Sequence, residues 1–224
     1  MTKPLVKILL LCAAILIFAF SFVNAAYVPA IIIVAACSVA LFYYRFEHRE
    51  HTTALLILIT VMTSLSVFGR FIFAFIPGFK PVTALVIITG MYLGKEAGFL
   101  TGSLTAMLSN FYFGQGLWTP LQMLVWGFIG FFAGLLWIQL QKSRIILILY
   151  GIISGVIFSV ILDFLSVLWI DNSFNLKQYL IIASSSIPFI IIYAASNTVF
   201  LLLLKDPFAR KLTRIKTKLN LQVN

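Results

Sequence analysis

The stretch Asn110-Phe-Tyr-Phe-Gly-Gln-Gly-Leu-Trp-Thr-Pro-Leu-Gln122 crowds amide, hydroxyl and aromatic side chains between two apolar runs and carries no formal charge. Amides both donate and accept hydrogen bonds, and aromatic faces cover apolar bodies, so the chemistry on offer is recognition rather than bond making. Gly114 and Gly116 flank Gln115 and free the backbone to turn, and Pro120 suits the first turn of a following helix, where a missing N–H costs nothing. An aromatic belt at a membrane interface would account for the tryptophan and tyrosine, but it would not call for Asn110, Gln115 and Gln122 as well. Trp118, Gln122 and Trp126 recur every four residues and so share one helix face, with Gln115 preceding it in the loop.

Other groups able to do chemistry are few. Asp163 lies inside an apolar run, and a carboxylate at bilayer depth costs roughly 2.5–3.5 kcal/mol, so it should be paired or face a cavity. Arg70 falls at a comparable depth near the end of another run. The two are expected to pair, or to touch a ligand; the alternative is that Arg70 reaches the headgroups and Asp163 is protonated. Asn197 sits mid-run in Ala194-Ala-Ser-Asn-Thr198, where its amide can bond across helices or line a site. His48 and His51 share a polar loop, which reads as solvated rather than metal-binding. Cys12 and Cys37 lie in apolar runs without metal-type spacing and read as small hydrophobes. No residue qualifies as catalytic: the sequence has no His-Glu-x-x-His, no Gly-x-Ser-x-Gly and no phosphate loop. A proton-driven carrier would want several intramembrane ionisable groups, and only Asp163 and Arg70 qualify. A binding module that captures something outside, with energy supplied by a partner, fits this inventory; an autonomous carrier and a structural membrane protein are the alternatives.

The elements that must hold these residues are apolar helices. Of 224 residues 62% are hydrophobic and 10% charged, against about a quarter charged in soluble domains, which points to a polytopic membrane protein with no separate soluble domain. Apolar runs cover residues 5–23, 27–44, 53–76, 82–94, 97–113, 119–140, 145–170 and 178–204. The first ends in Val23-Asn24-Ala25, a signal-peptidase-like site, and reads either as a cleaved signal or as a retained helix. The run 82–94 is short of the ~20 residues of a full crossing, and charge decides its course. If it crosses, Lys3, Lys7, Arg45, Arg49, Lys95, Lys142, Arg144 and the tail residues Lys205, Arg210, Lys211, Arg214, Lys216 and Lys218 all lie inside. Only Arg70, Lys80 and Lys177 then lie outside, as the positive-inside rule requires. The surplus of basic residues, a formal net charge of +10, is thus a matter of topology and not of nucleic acid. The expected layout has a cytoplasmic C terminus, a cytoplasmic N terminus if the first helix is retained, and the loop 110–119 outside. Gly90, Gly94, Gly98 and Gly102 recur every four residues, as do Gly130 with Gly134 and Gly151 with Gly155, a spacing that lets backbones approach closely in lipid.

The runs Gly69-Arg70, Lys80-Pro-Val-Thr-Ala84, Asn110 to Met123 and Trp126-Gly127, with Gly90 and Gly94, resemble the substrate-binding (S) components of energy-coupling factor (ECF) vitamin transporters, and look like the cobalamin-type branch. Pro188, Asn197 and the Pro207-Phe-x-x-Lys-Leu212 segment are similar to the last helix of these proteins. The resemblance implies an all-α membrane bundle: a six-helix core over residues 53–204, an N-terminal hairpin and cytoplasmic loop over 1–52, and a basic cytoplasmic tail over 205–224. It implies no enzyme activity and no covalent cofactor. It implies vitamin capture at the outer face of the cytoplasmic membrane, docking onto a transmembrane coupling subunit, and ATP used only by two cytoplasmic ATPase partners. Many members carry Ala-x-x-x-Ala on the first core helix for docking; here that helix offers Thr60-x-x-x-Ser64, while a literal Ala36-x-x-x-Ala40 lies one helix earlier. The expected substrate contacts are Arg70, Lys80, Asn110, Tyr112, Gln115, Trp118, Gln122, Trp126, Asp163 and Asn197, with Phe111, Phe113, Thr119 and Trp169 near them. Asp171 and Lys177 are further charges near that face. A small cation would want more acidic partners, and a strong anion would want an arginine cluster. A large amide-edged molecule suits the inventory better, so cobalamin or a corrinoid precursor is the expected substrate, with another vitamin as the alternative.

Overall fold

The computed structural model describes residues 27–47, 52–171, 173–219 and 221, and among these there is no strand. The run 5–23, the loop histidines His48 and His51, Cys12 and the signal-like site lie outside the described residues. The helices are α1 (Tyr27–Glu47), α2 (Thr53–Ile72), α3 (Val82–Leu93), α4 (Lys95–Phe113), α5 (Thr119–Leu135), α6 (Trp137–Lys142), α7 (Arg144–Asp171) and α8 (Leu176–Lys218). Three starts are capped by side chains: Thr52 Oγ1 accepts from Leu55 N, Ser143 Oγ from Ile146 N, and Asn175 Oδ1 from Lys177 N and Gln178 N. Such caps satisfy N–H groups that the helix itself cannot pair. α2, α7 up to Ile170 and α8 are long and apolar enough to cross a membrane, and shorter apolar helices cover Val28–Tyr44, Val82–Leu93 and Thr119–Leu135.

The short run is the centre of the bundle. All twelve residues of α3 are buried, because α2, α4, α5 and α8 pack around it. Its sequence reads apolar on every side, as a helix with no exposed face must. At helical rise it covers only about 18 Å. The chain makes up part of the depth before the helix begins, since Phe79 and Lys80 are half-buried and Pro81 is buried. Gly94, at φ 94°, lets the chain turn straight from α3 into α4 in a conformation that suits glycine.

The glycine spacing is used for packing. A Cβ on Gly90 or Gly98 would run into the backbone of Gly130, and one on Gly102 into the backbone of Trp126. α3 and α4 therefore touch α5 backbone to backbone. Gly151 and Gly155 admit Leu201, Asn197 and Ala194 of α8 in the same way.

Two expectations change in detail. The run 119–140 is not one helix: the ladder breaks at Leu136, giving α5 and the short α6. α6 closes one end of the bundle, with Gln141 Nε2 donating to Met91 O at 3.0 Å and Lys205 Nζ donating to Gln141 O at 3.2 Å. The last run does not stop at 204: α8 continues through Pro207 to Lys218, 43 residues in all. Its final part buries Leu212 against the bundle and leaves Arg210, Lys211, Arg214 and Lys218 exposed, so apolar packing extends the helix into the basic tail. α1, from the segment ahead of residue 53, packs on α4 and α5. Phe42 stacks on Phe99 at 3.8 Å between centroids, and the Tyr43 and Ser103 hydroxyls are 3.0 Å apart.

Candidate functional site

At the N-terminal end of α5 one helix face meets another across a cleft. Trp118 and Gln122 form one wall; Leu162, Leu165, Ser166, Trp169 and Ile170 of α7 form the other, around a volume of about 530 Å³. Trp118 is 41% exposed and Trp169 48%, so both indoles keep surface free for a ligand.

Behind Gln122 a chain of hydrogen bonds runs into the core. Gln122 Oε1 accepts from Asn110 Nδ2 at 2.8 Å, and the same Nδ2 donates to Thr119 Oγ1 at 3.0 Å. Asn110 Oδ1 accepts from Arg70 Nη1 at 2.8 Å. Arg70 Nη1 also donates to Ser109 Oγ, which passes its own hydrogen to Thr105 O at 2.6 Å. The Arg70 guanidinium lies over Phe113, 4.4 Å from its centroid, and 5.4 Å from that of Trp126. A cation over aromatic faces gains on the order of 1 kcal/mol, which helps hold Arg70 at 9% exposure.

Trp126 is buried beneath this layer and stacks on Phe158 at 5.1 Å and 12°. Lys80 reaches it from the α2–α3 connection, its Nζ 5.6 Å from the Trp126 centroid and 5.0 Å from that of Tyr193. Lys80 Nζ is also 3.4 Å from Tyr193 Oη. The Lys80 backbone is bolted to α8, because Ser196 Oγ accepts from Lys80 N at 2.8 Å and donates to Lys80 O at 3.0 Å. Two basic side chains, Arg70 and Lys80, therefore flank Trp126 beside a run of oriented amides, an arrangement suited to holding a molecule rather than transforming it.

A family model described as ECF-type riboflavin transporter, S component, matches residues 50–210. The chain belongs to that family. No curated protein and no solved structure matches. The S component is thus a multi-pass membrane subunit of a vitamin transporter and not an enzyme. The match corrects the cobalamin-type branch to the riboflavin one.

Of the residues expected to bind substrate, the fold brings Trp118 and Gln122 to the cleft and sets Asn110, Arg70, Trp126 and Lys80 behind it. It does not bring Tyr112 or Gln115 there. Tyr112 is 74% exposed and packs on Phe71 and Phe113. Gln115 Nε2 donates back to Met107 O at 2.9 Å and tethers the loop. Asn197 is structural, its Nδ2 donating to Gly151 O at 2.8 Å between α7 and α8. The expected Arg70–Asp163 pair does not form. Arg70 is directed to α4, while Asp163 Oδ1 accepts from Ser186 at 2.9 Å and Oδ2 has no partner among the described residues. α2 packs on α4, whereas α7 packs on α8. The α7 wall was missed apart from Trp169. Its spacing, Leu162, Leu165, Ser166, Trp169, follows a helical face and was available as a signal. Ser196 and Tyr193 gave none beyond their place next to Asn197. Thr60 and Ser64 lie on an exposed strip of α2, and Ala36 and Ala40 on an exposed strip of α1.

Proposed function

We propose that this S component captures riboflavin at the outer membrane face, in the cleft between Trp118 and Trp169, and delivers it through a coupling subunit driven by two ATPase partners. The observation that carries the reading is the cleft with Trp118 and Gln122 on one wall and Trp169 on the other, taken with the riboflavin family match. A planar ring system can gain aromatic contact from the half-exposed indoles of such a cleft. A volume of about 530 Å³ lies in the ordinary range of small-molecule sites, roughly 300–1,000 Å³, and a corrinoid is far larger than a flavin. In this reading the cleft opens outside and the C terminus lies in the cytoplasm, with the N terminus there too if the first helix is retained, in keeping with the basic residues at Lys95, Lys142, Arg144 and the end of α8.

A titration of the purified chain with a panel of vitamins, read by flavin fluorescence and by calorimetry, tests this. Riboflavin should bind. Trp118→Ala and Trp169→Ala should each weaken it by ~1 kcal/mol or more, the usual worth of an aromatic contact. Gln115→Ala should leave affinity unchanged, because that amide is turned to Met107. Reconstituted alone, the chain should bind but not accumulate the vitamin; gradient-driven uptake by the chain alone would establish an autonomous carrier instead.

Docking of the coupling subunit is proposed on the exposed Thr60–Ser64 strip of α2. Thr60→Leu with Ser64→Leu should reduce co-purification of the coupling subunit while riboflavin affinity stays, since larger side chains block close helix approach. If only Ala36→Leu and Ala40→Leu have that effect, α1 is the docking helix.

A further inference from the structure

Amide orientation at the cleft is forced from inside the protein. Arg70 has donors only, so the Asn110 atom facing it at 2.8 Å must be the carbonyl oxygen. Asn110 is 1% exposed and then has two hydrogens to place. They go to Thr119 Oγ1 at 3.0 Å and to the Gln122 oxygen at 2.8 Å. Reversing Asn110 would set its NH₂ against the guanidinium and leave buried donors opposed, a cost well above that of a single unmade hydrogen bond. The network therefore assigns both amides, as such networks do when one member is unambiguous. Gln122 is the last member and lines the cleft. Its oxygen already accepts from Asn110, whereas neither of its Nε2 hydrogens has a partner among the described residues.

We infer that Gln122 presents a hydrogen-bond donor to the cleft, so the site selects a ligand with an acceptor at that point, and that Arg70 sets this polarity through Asn110. Arg70 is a positioning residue here, acting through two amides without touching the cleft. The inference rests on the cleft being the vitamin site, and it names the edge of the ligand that enters: a carbonyl oxygen or an unprotonated ring nitrogen rather than an N–H. A flavin offers both kinds of acceptor along its ring edge.

The test is a pH profile of riboflavin affinity for the full chain and for Gln122→Glu. Near neutral pH the new carboxylate offers only acceptors, and riboflavin should bind about tenfold more weakly or worse. As pH falls towards about 4, near the ordinary glutamate value of ~4.3, the protonated carboxyl regains an O–H donor, and the deficit should close to within about threefold of the unmodified chain. Gln122→Met, which has no donor at any pH, should show the deficit throughout. Unchanged neutral-pH affinity in Gln122→Glu, or a deficit that does not narrow in acid, would overturn the inference. A ligand-free measurement separates this from the riboflavin reading. With isotope-labelled side-chain amides in the full chain, the Gln122 hydrogens should exchange with solvent at least tenfold faster than those of Asn110. Equal protection of both overturns the relay. A chain that shows the expected exchange pattern but binds another vitamin in place of riboflavin overturns only the substrate.

Discussion

Arg70→Met is expected to be the most damaging single change at the site. It removes both hydrogen bonds from the guanidinium and leaves Asn110 Oδ1 without its donor in a position that water does not reach. Hydrogen bonds to charged groups contribute roughly 1.5–3 kcal/mol, and stranding a buried acceptor adds to that, so a loss of ~3 kcal/mol in stability is expected. The contacts over Phe113 and Trp126 go as well. Thermal unfolding in detergent should show a lower midpoint, and riboflavin affinity should fall even below the temperature at which unfolding begins, because Gln122 loses its fixed orientation. Arg70→Lys should recover only part of either quantity: an ammonium is a point charge without the planar fork that aims the donors. A midpoint and affinity equal to those of the unmodified chain would mean that Arg70 does not hold the site.

Gly98→Val and Gly130→Val are expected to abolish the folded bundle. Each glycine faces the backbone of the other, so any side chain there must push α4 and α5 apart. Overpacking typically costs 1–3 kcal/mol where side chains can yield; here the obstacle is main chain, and ~3 kcal/mol or more is expected. The readout is the yield of monodisperse protein on size-exclusion chromatography. Gly114→Ala is the comparison. It sits at φ 100° with nothing within 4 Å of its Cβ position, so its cost should be only the ~1–3 kcal/mol of a sparsely populated, glycine-favoured backbone conformation, and the folded yield should persist better than in the other two. Similar yields for all three would show that helix contact at Gly98 and Gly130 is not limiting.

Much of this architecture was legible in the residues. Apolar runs and basic loops are local properties, so the all-helical membrane class, most helix positions and the glycine approach of α3, α4 and α5 followed from composition and spacing. The Trp118–Gln122 face was legible for the same reason, since a helix of known period places its own residues relative to one another. Which face meets which is not a local property. Asn110 looked like a loop residue aimed at ligand, and became a buried hinge because Arg70 lies opposite it. Trp126 shares a face with Trp118 yet ends beneath the cleft, because α5 descends into the bundle there and Phe158 covers it. Arg70 and Asp163 matched in depth and charge but belong to different helix pairs, and the energetic case for pairing buried charges says nothing about reach. The cleft proposed for the vitamin is built half from α7, whose contribution periodicity could outline but could not orient towards α5. What the sequence determined by itself was the membrane bundle and the chemistry available to its outer loop. Only the tertiary structure decided which of those groups line the cleft and which hold the others in place, because that depends on helix partners distant in the chain.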